Sequence, residues 1–397
     1  MNKLAIDDID IAGKRVLVRV DFNVPIDEGK VADENRIVAS LPTIKKILDS
    51  GGSAVLMSHL GRPKGEPDPA FSLKPVAYNL SQHLDRPVKF ADDCISEDAL
   101  KQALSLEPGE VLLLENLRFY PGEKKNDADF AEKLSKLGEV YINDAFGTAH
   151  RAHASTEGVT KYFEQAAAGY LMVKEIEYLG NAVQNPERPM AAILGGAKIS
   201  GKIDVINNLM EKVEKIFIGG GMAFTFFKAQ GYEIGKSLLE EDRIDMAKQL
   251  LDDAKNKELE IRLPVDVVCA KDLSEDAESR TVPVDQIPSD MAGYDIGPET
   301  LQKFKQDLSD CRTIVWNGPM GVFEKEKYAG GTVEIAKVLA ELTSGGATTI
   351  IGGGDSASAV KKAGVGDKLS HISTGGGASL EFLEGKTLPG LAALTDK

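Results

Sequence analysis

The sequence predicts an α/β protein made of two doubly wound, Rossmann-like parallel-sheet domains joined by a helix, with a cleft between them. Three observations predict it. Short apolar runs alternate with helix-length stretches along the chain, the pattern of βαβ units and a mostly parallel sheet. After about Tyr170 a long helical stretch, MVKEIEYLGNAVQNPERP, interrupts that pattern and closes on Asn185-Pro186, and the alternation then restarts. The 397 residues, 42% of them hydrophobic, are enough for two cores.

In chain order, residues 15–20 (RVLVRV), 54–57, 111–114 and 140–142 read as strands of the first half. Residues 41–49, 73–84 and 128–137 read as helices between them. In the second half, 190–194, 215–218, 261–268, 313–316 and 348–351 read as strands, with helices at AFTFF after Met222 and over 357–362. There is no low-complexity tract and no short repeat.

Composition narrows the function classes. A net charge of −15 and a pI near 5.0 argue against nucleic acid as a partner. An acidic chain can still bind an anionic metabolite where it concentrates positive charge locally. Cys94, Cys269 and Cys311 are far apart and match no zinc spacing, which suits a reducing compartment. The N-terminal residues carry no apolar signal core, and nowhere do 18 apolar residues run together. A cytoplasmic protein with no membrane partner is expected, and the absence of an interface motif points to a monomer.

Ligands of doubly wound sheets sit at the loops leaving the carboxyl ends of strands. In the first half those loops carry Asp21 and Asn23, with Arg36 a little further on, then His59 and Arg62, then Arg118, then His150, Arg151 and His153. Any one of these arginines reads more simply as a surface charge. Four in register with strand ends form a cationic rim suited to an anion with phosphate and carboxylate groups. His150-x-x-His153 is half a metal site at most, and no third ligand supports it.

The stretch 190–202, MAAILGGAKISGK, reads as a buried strand, two glycines and a helix start. Lys198 and Lys202 would then project from one face of the first helical turns. N–H groups freed by Gly195 and Gly196 would cradle an anion there. Two ammonium groups beside such a cradle suit a polyphosphate, so a nucleotide is placed here. Gly196-x4-Gly201-Lys202 fits a phosphate loop up to its last position, where Ile203 stands instead of the Ser or Thr that would bind Mg²⁺.

The remaining strand-end loops are glycine-rich and mostly neutral: Gly219-Gly220-Gly221, Asn317-Gly318-Pro319 running on to Glu324, Gly352 to Ser356, and Gly375-Gly376-Gly377. Glycine lets backbone approach a base or a phosphate closely. Gly352-x-Gly354-x-x-Ala357 also satisfies a dinucleotide fingerprint. That reading fails because Asp355 would repel a pyrophosphate and no ribose-binding acid follows about 20 residues on. With Mg²⁺ present, Asp355 becomes the metal's protein contact and supplies what Ile203 cannot.

DFNVP, SHLGRP, LENLRF, NDAFGTAHRAHAS, LGGAKI, WNGPMGVFE, GGGDS and STGGGASLE each resemble a segment of the phosphoglycerate kinase family, in the same order, from Asp21 to about Pro389. The resemblance implies reversible transfer of a phosphoryl group between 1,3-bisphosphoglycerate with ADP and 3-phosphoglycerate with ATP, directly in line once the domains close. It implies residues 1–170 as the domain for the glycerate, 171–188 as an interdomain helix and 189–384 as the nucleotide domain. The tail, about 385–397, would pack back on the first domain. Asp21, Asn23, Arg36, His59, Arg62, Arg118, His150 and Arg151 would bind the glycerate. Gly196, Lys198, Lys202, Gly219, Gly220, Asn317, Pro319, Glu324, Gly353, Gly354, Asp355 and Ser356 would bind the nucleotide, and Asp355 the Mg²⁺. Arg36, Lys202, Gly354 and Gly376 would be catalytic. Two rival readings of the same residues are a phosphate-loop NTPase without a glycerate substrate and a metabolite sensor that turns nothing over.

Overall fold

The computed structural model describes residues 2–397, which divide into two compact units. The first runs up to Glu177 and takes in Thr387–Lys397; the second is Tyr178–Lys386.

Eight strands lie in the first unit: β1 (Arg15–Val20), β2 (Ile26–Asp27), β3 (Lys30–Val31), β4 (Ser53–Met57), β5 (Val88–Ala91), β6 (Val111–Leu114), β7 (Val140–Asp144) and β8 (Ala166–Ala168). Its helices are α1 (Asn35–Asp49), α2 (Lys74–Leu84), α3 (Glu97–Leu104), α4 (Pro121–Lys125), α5 (Ala128–Ser135) and the start of α6 (Tyr170–Gln184). Six strands form one parallel sheet in the order β5-β6-β4-β1-β7-β8, while β2 and β3 make a separate hairpin. β1 is central, pairing Val16 with Ala54 on one side and with Val140 on the other. Helices cover both faces, so the strands are apolar runs rather than alternating ones. In α1, Ile37, Leu41, Ile44, Ile47 and Leu48 recur at helical spacing and join Val16, Val18, Leu56 and Ile142 in the core. Each such side chain contributes about 1.5–3 kcal/mol on leaving water.

The second unit contains β9 (Met190–Leu194), β10 (Lys215–Ile218), β11 (Glu260–Arg262), β12 (Asp266–Ala270), β13 (Ser279–Pro283), β14 (Ala292–Ile296), β15 (Thr313–Asn317), β16 (Thr348–Gly352) and β17 (His371–Ile372). Its helices are α7 (Ile203–Leu209), α8 (Ala223–Ala229), α9 (Ile244–Asn256), α10 (Pro298–Leu308), α11 (Gly330–Ser344), α12 (Gly354–Lys362) and α13 (Gly377–Leu383). The parallel sheet runs β11-β10-β9-β15-β16-β17, and β13-β12-β14 form a small antiparallel sheet beside it. The run 261–268, expected as one strand, is therefore two strands in two sheets. Pro264 has no N–H to give to a ladder and sits where the chain leaves β11.

A second expectation fails at the loop after β9. Residues 195–202 are not the first turns of a helix; α7 begins at Ile203 and is seven residues long. Lys198 and Lys202 lie in the loop before it. The loop is held open by Glu240, whose carboxylate accepts from the N–H and the hydroxyl of Ser200. Gly201 adds flexibility that a helix start would have to give up.

The C-terminal residues, including α14 (Pro389–Ala392), lie on the first unit. Thr395 donates its N–H to Ala166 O at 2.9 Å and accepts from Leu4 N at 2.8 Å. Gly390 donates its N–H to Ala149 O at 2.8 Å, so the tail props the loop that follows β7.

Candidate active site

Both parallel sheets reverse their winding at one place, beside the strand each begins with. In the first unit β4 lies on one side of β1 and β7 on the other; in the second β10 and β15 flank β9 in the same way. Ligand crevices of open α/β sheets form outside the carboxyl ends of strands at such points.

At the first of these, Asp21 and Asn23 follow β1 and residues 145–153 follow β7. Arg36 Nη1 donates to Asp21 Oδ2 at 2.9 Å and to Asn23 O at 3.2 Å. Asn23 Oδ1 accepts from Gly61 N at 2.8 Å, which ties the loop after β4 to the loop after β1. Arg118 Nη1 donates to Gly61 O at 2.7 Å and brings in the loop after β6. Arg151 Nε donates to His150 Nε2 at 3.0 Å. Hydrogen bonds thus link Asp21, Asn23, Arg36 and Arg118, and His59 Nδ1 lies 4.0 Å from Asp21 Oδ1. Arg62 and Arg151 are exposed, whereas His59 and Arg118 are buried.

The electrostatics are those of crowded cations. Burial, then the charges of Arg19 and Arg151, push Arg118 down to about 10, so it stays charged at neutral pH. Burial and the guanidinium groups of Arg19, Arg118 and Arg36 hold His59 well below the ordinary imidazole range. His153 is pushed down to about 4 for the same reasons, burial first. The rim therefore presents arginine charge and neutral imidazoles.

Arg19 is the cation that sequence reasoning missed. It lies on β1 and is 1% exposed. A signal was available in RVLVRV: a charge inside a strand covered on both faces must have buried partners. Ser155 and Glu123, both fully buried, are those partners, and neither carries a sequence pattern of its own.

At the second winding reversal, residues 195–198, 201–202, 317–319 and 353–356 line one cavity of about 230 Å³. It brings together Gly196, Lys198, Lys202, Asn317, Pro319, Gly353, Gly354, Asp355 and Ser356. Lys202 Nζ donates to Asn317 Oδ1. Burial pulls the ammonium down to about 8, against the opposing pull of Asp355 and Glu384. Ser356 Oγ accepts from Gly318 N at 2.7 Å. Asp355 is exposed in the first turn of α12, a helix with no side-chain cap.

The glycines here act differently from expectation. Gly195 N donates to Asn317 O at 3.0 Å and Gly196 N to Pro319 O at 2.9 Å, so neither N–H is free for an anion. They bolt the loop after β9 to the loop after β15. A Cβ on Gly195 would lie 2.1 Å from Pro319 O, and one on Gly220 would lie 2.6 Å from Gly196 N. Gly219 and Gly220 thus stand behind the cavity wall; Gly220 also lines a small adjoining cavity with Phe224, Gly293 and Met320. Glu324 is exposed and Gly376 opens α13 with φ +50°; neither lines the main cavity.

Among the described residues no group of three or more His, Cys, Asp or Glu could hold a metal ion by itself. Mg²⁺ carried on nucleotide phosphates needs only one or two carboxylates, and Asp355 in a cavity with Lys202 fits that demand.

The family model for phosphoglycerate kinase matches residues 6–386. The chain belongs to the phosphoglycerate kinase family. It is 59% identical to the phosphoglycerate kinase of Chlorobium limicola and 58% identical to that of Chlorobaculum tepidum, over all of both chains in each case. Among solved structures, the phosphoglycerate kinase of Coxiella burnetii matches with a TM-score of 0.91 at 42% identity, covering 98% of each chain. That of Pyrococcus horikoshii matches at 0.85 and 33%, again covering 98% of each. Membership makes the chain a glycolytic kinase, a phosphotransferase with a carboxyl group as acceptor. Nothing in these likenesses favours a phosphate-loop NTPase that needs no second substrate.

Proposed function

We propose that the rim of the first unit binds 3-phosphoglycerate or 1,3-bisphosphoglycerate and that the cavity of the second binds ATP or ADP with Mg²⁺. The observation that carries this reading is the coincidence of each residue set with the winding reversal of its own sheet. Asp21, Asn23, Arg36, His59, Arg62, Arg118, His150 and Arg151 hold the glycerate, with guanidinium groups on its anionic ends and Asp21 positioning Arg36. Lys198, Lys202 and residues 353–356 hold the nucleotide phosphates. Gly219 and Gly220 back the nucleotide cavity, where a side chain would push its wall inward, and Glu324 accepts from the ribose hydroxyls.

The chemistry asks little of acid or base groups. In the ATP-consuming direction the nucleophile is a carboxylate, already ionised at neutral pH, so no general base is required. Catalysis is then positioning and neutralisation of charge on the equatorial oxygens of the moving phosphoryl group. Arg36 meets that group from the glycerate side and Lys202 follows it from the nucleotide side. Backbone N–H groups at Gly354 and Gly376 complete the set. Mg²⁺ held through Asp355 supplies further positive charge on the nucleotide phosphates. An acyl phosphate and ATP are both open to hydrolysis, so direct in-line transfer follows closure of the two units around the substrates.

Each candidate site is complete within one unit of one chain, which supports a monomer. Three free, buried cysteines support a reducing, cytoplasmic setting. The test is ADP release from Mg-ATP with and without 3-phosphoglycerate, in a coupled assay that consumes the acyl phosphate. Turnover is expected only when the glycerate is present. Turnover from ATP alone would remove the division of labour and return 196–202 to an NTPase loop.

A further inference from the structure

Beneath the rim, three buried side chains connect end to end and terminate on His59. Glu123, on α4, is fully buried; its Oε1 accepts from Ser155 Oγ at 2.6 Å and its Oε2 from Ser155 N at 3.0 Å. Ser155 Oγ in turn accepts from Arg19 Nε at 2.8 Å. Arg19 Nη1 donates to Val20 O, and Nη2 lies 3.2 Å from His59 Nδ1. His59 is 4% exposed.

Every proton in this chain has an assigned direction. A carboxylate only accepts and a guanidinium only donates, so the serine hydroxyl between them must donate to Glu123 and accept from Arg19. The same rule holds at the other end: Nη2 can only donate, so His59 Nδ1 must carry a lone pair. A flipped ring would set a C–H against the guanidinium N–H and lose that bond. The imidazole proton is therefore on Nε2. Arg19, Arg118 and Arg36 around the ring oppose a second proton. A buried guanidinium without a counter-charge would be costly, and Glu123 supplies that charge through the serine.

We infer that Glu123, Ser155 and Arg19 are positioning residues that fix His59 as a neutral Nε2–H donor in the glycerate site. This rests on the reading of His59 as a glycerate ligand. The device gives the rim one donor that is aimed yet uncharged, among guanidinium groups that supply the charge. It suits a carboxylate or hydroxyl oxygen of the substrate, where a further cation would add attraction without direction.

The test is nitrogen-15 NMR of histidine-labelled protein at pH 7.5, with His59 assigned by the loss of its signals in His59→Gln. Wild type is expected to show the Nε2–H tautomer at His59. An Nδ1–H tautomer or a charged ring there overturns the inference without reference to any variant. In Glu123→Gln the buried guanidinium of Arg19 loses its counter-charge, so it is no longer held in place against His59 Nδ1. A mixture of tautomers at His59 is expected, with KM for 3-phosphoglycerate raised about three- to tenfold, the size of one hydrogen bond. The kcat and the KM for ATP should stay within about twofold. Wild-type tautomer and wild-type KM in Glu123→Gln would overturn the relay; should that variant fail to fold, Ser155→Ala carries the same comparison. If His59→Gln leaves KM for 3-phosphoglycerate unchanged, the ligand role of His59 fails, while the tautomer spectrum still decides the relay.

Discussion

In the proposed function Lys202 both holds a nucleotide phosphate and follows the moving phosphoryl group. It is held in a loop, largely withdrawn from water, with its ammonium on the Asn317 amide oxygen. Burial weakens its charge, and a phosphoryl group passing close by would restore the charge at the moment it stabilises the transition state. Lys202→Ala is accordingly expected to lower kcat by about 10²-fold or more while changing substrate KM values little. A kcat within a few-fold of wild type would remove Lys202 from the mechanism. The same burial sets a pH limit. Because the ammonium's pKa falls to about 8, the charged form is lost as pH rises through that value in the free enzyme. The pH profile of kcat/KM for Mg-ATP should decline above about pH 8, and a profile flat to pH 9.5 would contradict the assigned cause.

At the scale of elements, the site of the second unit depends on backbone packing between loops as well as on the first turn of α12. Gly195 and Gly318 face each other: a Cβ on the first would meet Pro319 O at 2.1 Å, and one on the second would meet Gly195 O at 2.3 Å. Gly195→Ala must therefore push the loops after β9 and β15 apart. We expect a loss of about 1–3 kcal/mol in stability, together with weaker ADP binding measured by calorimetry. Unchanged melting and unchanged affinity would show that these loops yield freely. The strand ends of both sheets were legible in the sequence, because runs such as RVLVRV and MAAIL are mostly apolar and stop at aspartate and glycine. The sequence could not show β8, an Ala-Ala-Ala segment with no pattern of its own, nor the split of 261–268 at Pro264. The rim arginines were legible through their register with strand ends. Arg19, Ser155 and Glu123 were not, because a buried polar network is defined by contacts between residues up to 136 positions apart. The loop 195–202 reads as a helix start in the sequence because nothing there shows that the N–H groups of Gly195 and Gly196 are taken by Asn317 and Pro319.

Over the whole molecule, the buried titratable groups pull stability in opposite directions with pH, and the two units hold different sets. Asp144, where β7 meets the first turn of α6, accepts from Leu171 N at 2.9 Å, yet burial raises its pKa to about 7. Asp295, on β14, accepts from Gly331 N at 2.7 Å and Ile296 N at 2.9 Å, and burial likewise raises it to about 7. A carboxyl raised in the folded state binds its proton more tightly there than in the unfolded chain. Stability from each aspartate is thus greatest below the unfolded pKa near 3.8 and is lost as pH rises to about 7. His59 and His153 act oppositely: their lowered values mean that the unfolded chain takes up protons first, so stability grows as pH rises towards 6.5, for His153 from about 4. Both histidines lie in the first unit and offset Asp144 there; in the second, the lowered carboxyls of Glu240, Asp272, Asp290 and Asp310 act at and below the ordinary carboxylate range and the lowered Lys202 acts above about pH 8, so they do not offset Asp295 between those ranges. Asp295→Asn should therefore change the pH dependence of the second unit more than its stability at any single pH. The amide loses one acceptor and costs stability throughout, but the difference in Tm from wild type should move in favour of the variant between pH 5 and pH 8. Thermal unfolding followed by calorimetry across that range decides the point. A difference that stays constant with pH would mean that Asp295 is ionised in the fold throughout, held by the two N–H groups that point at it.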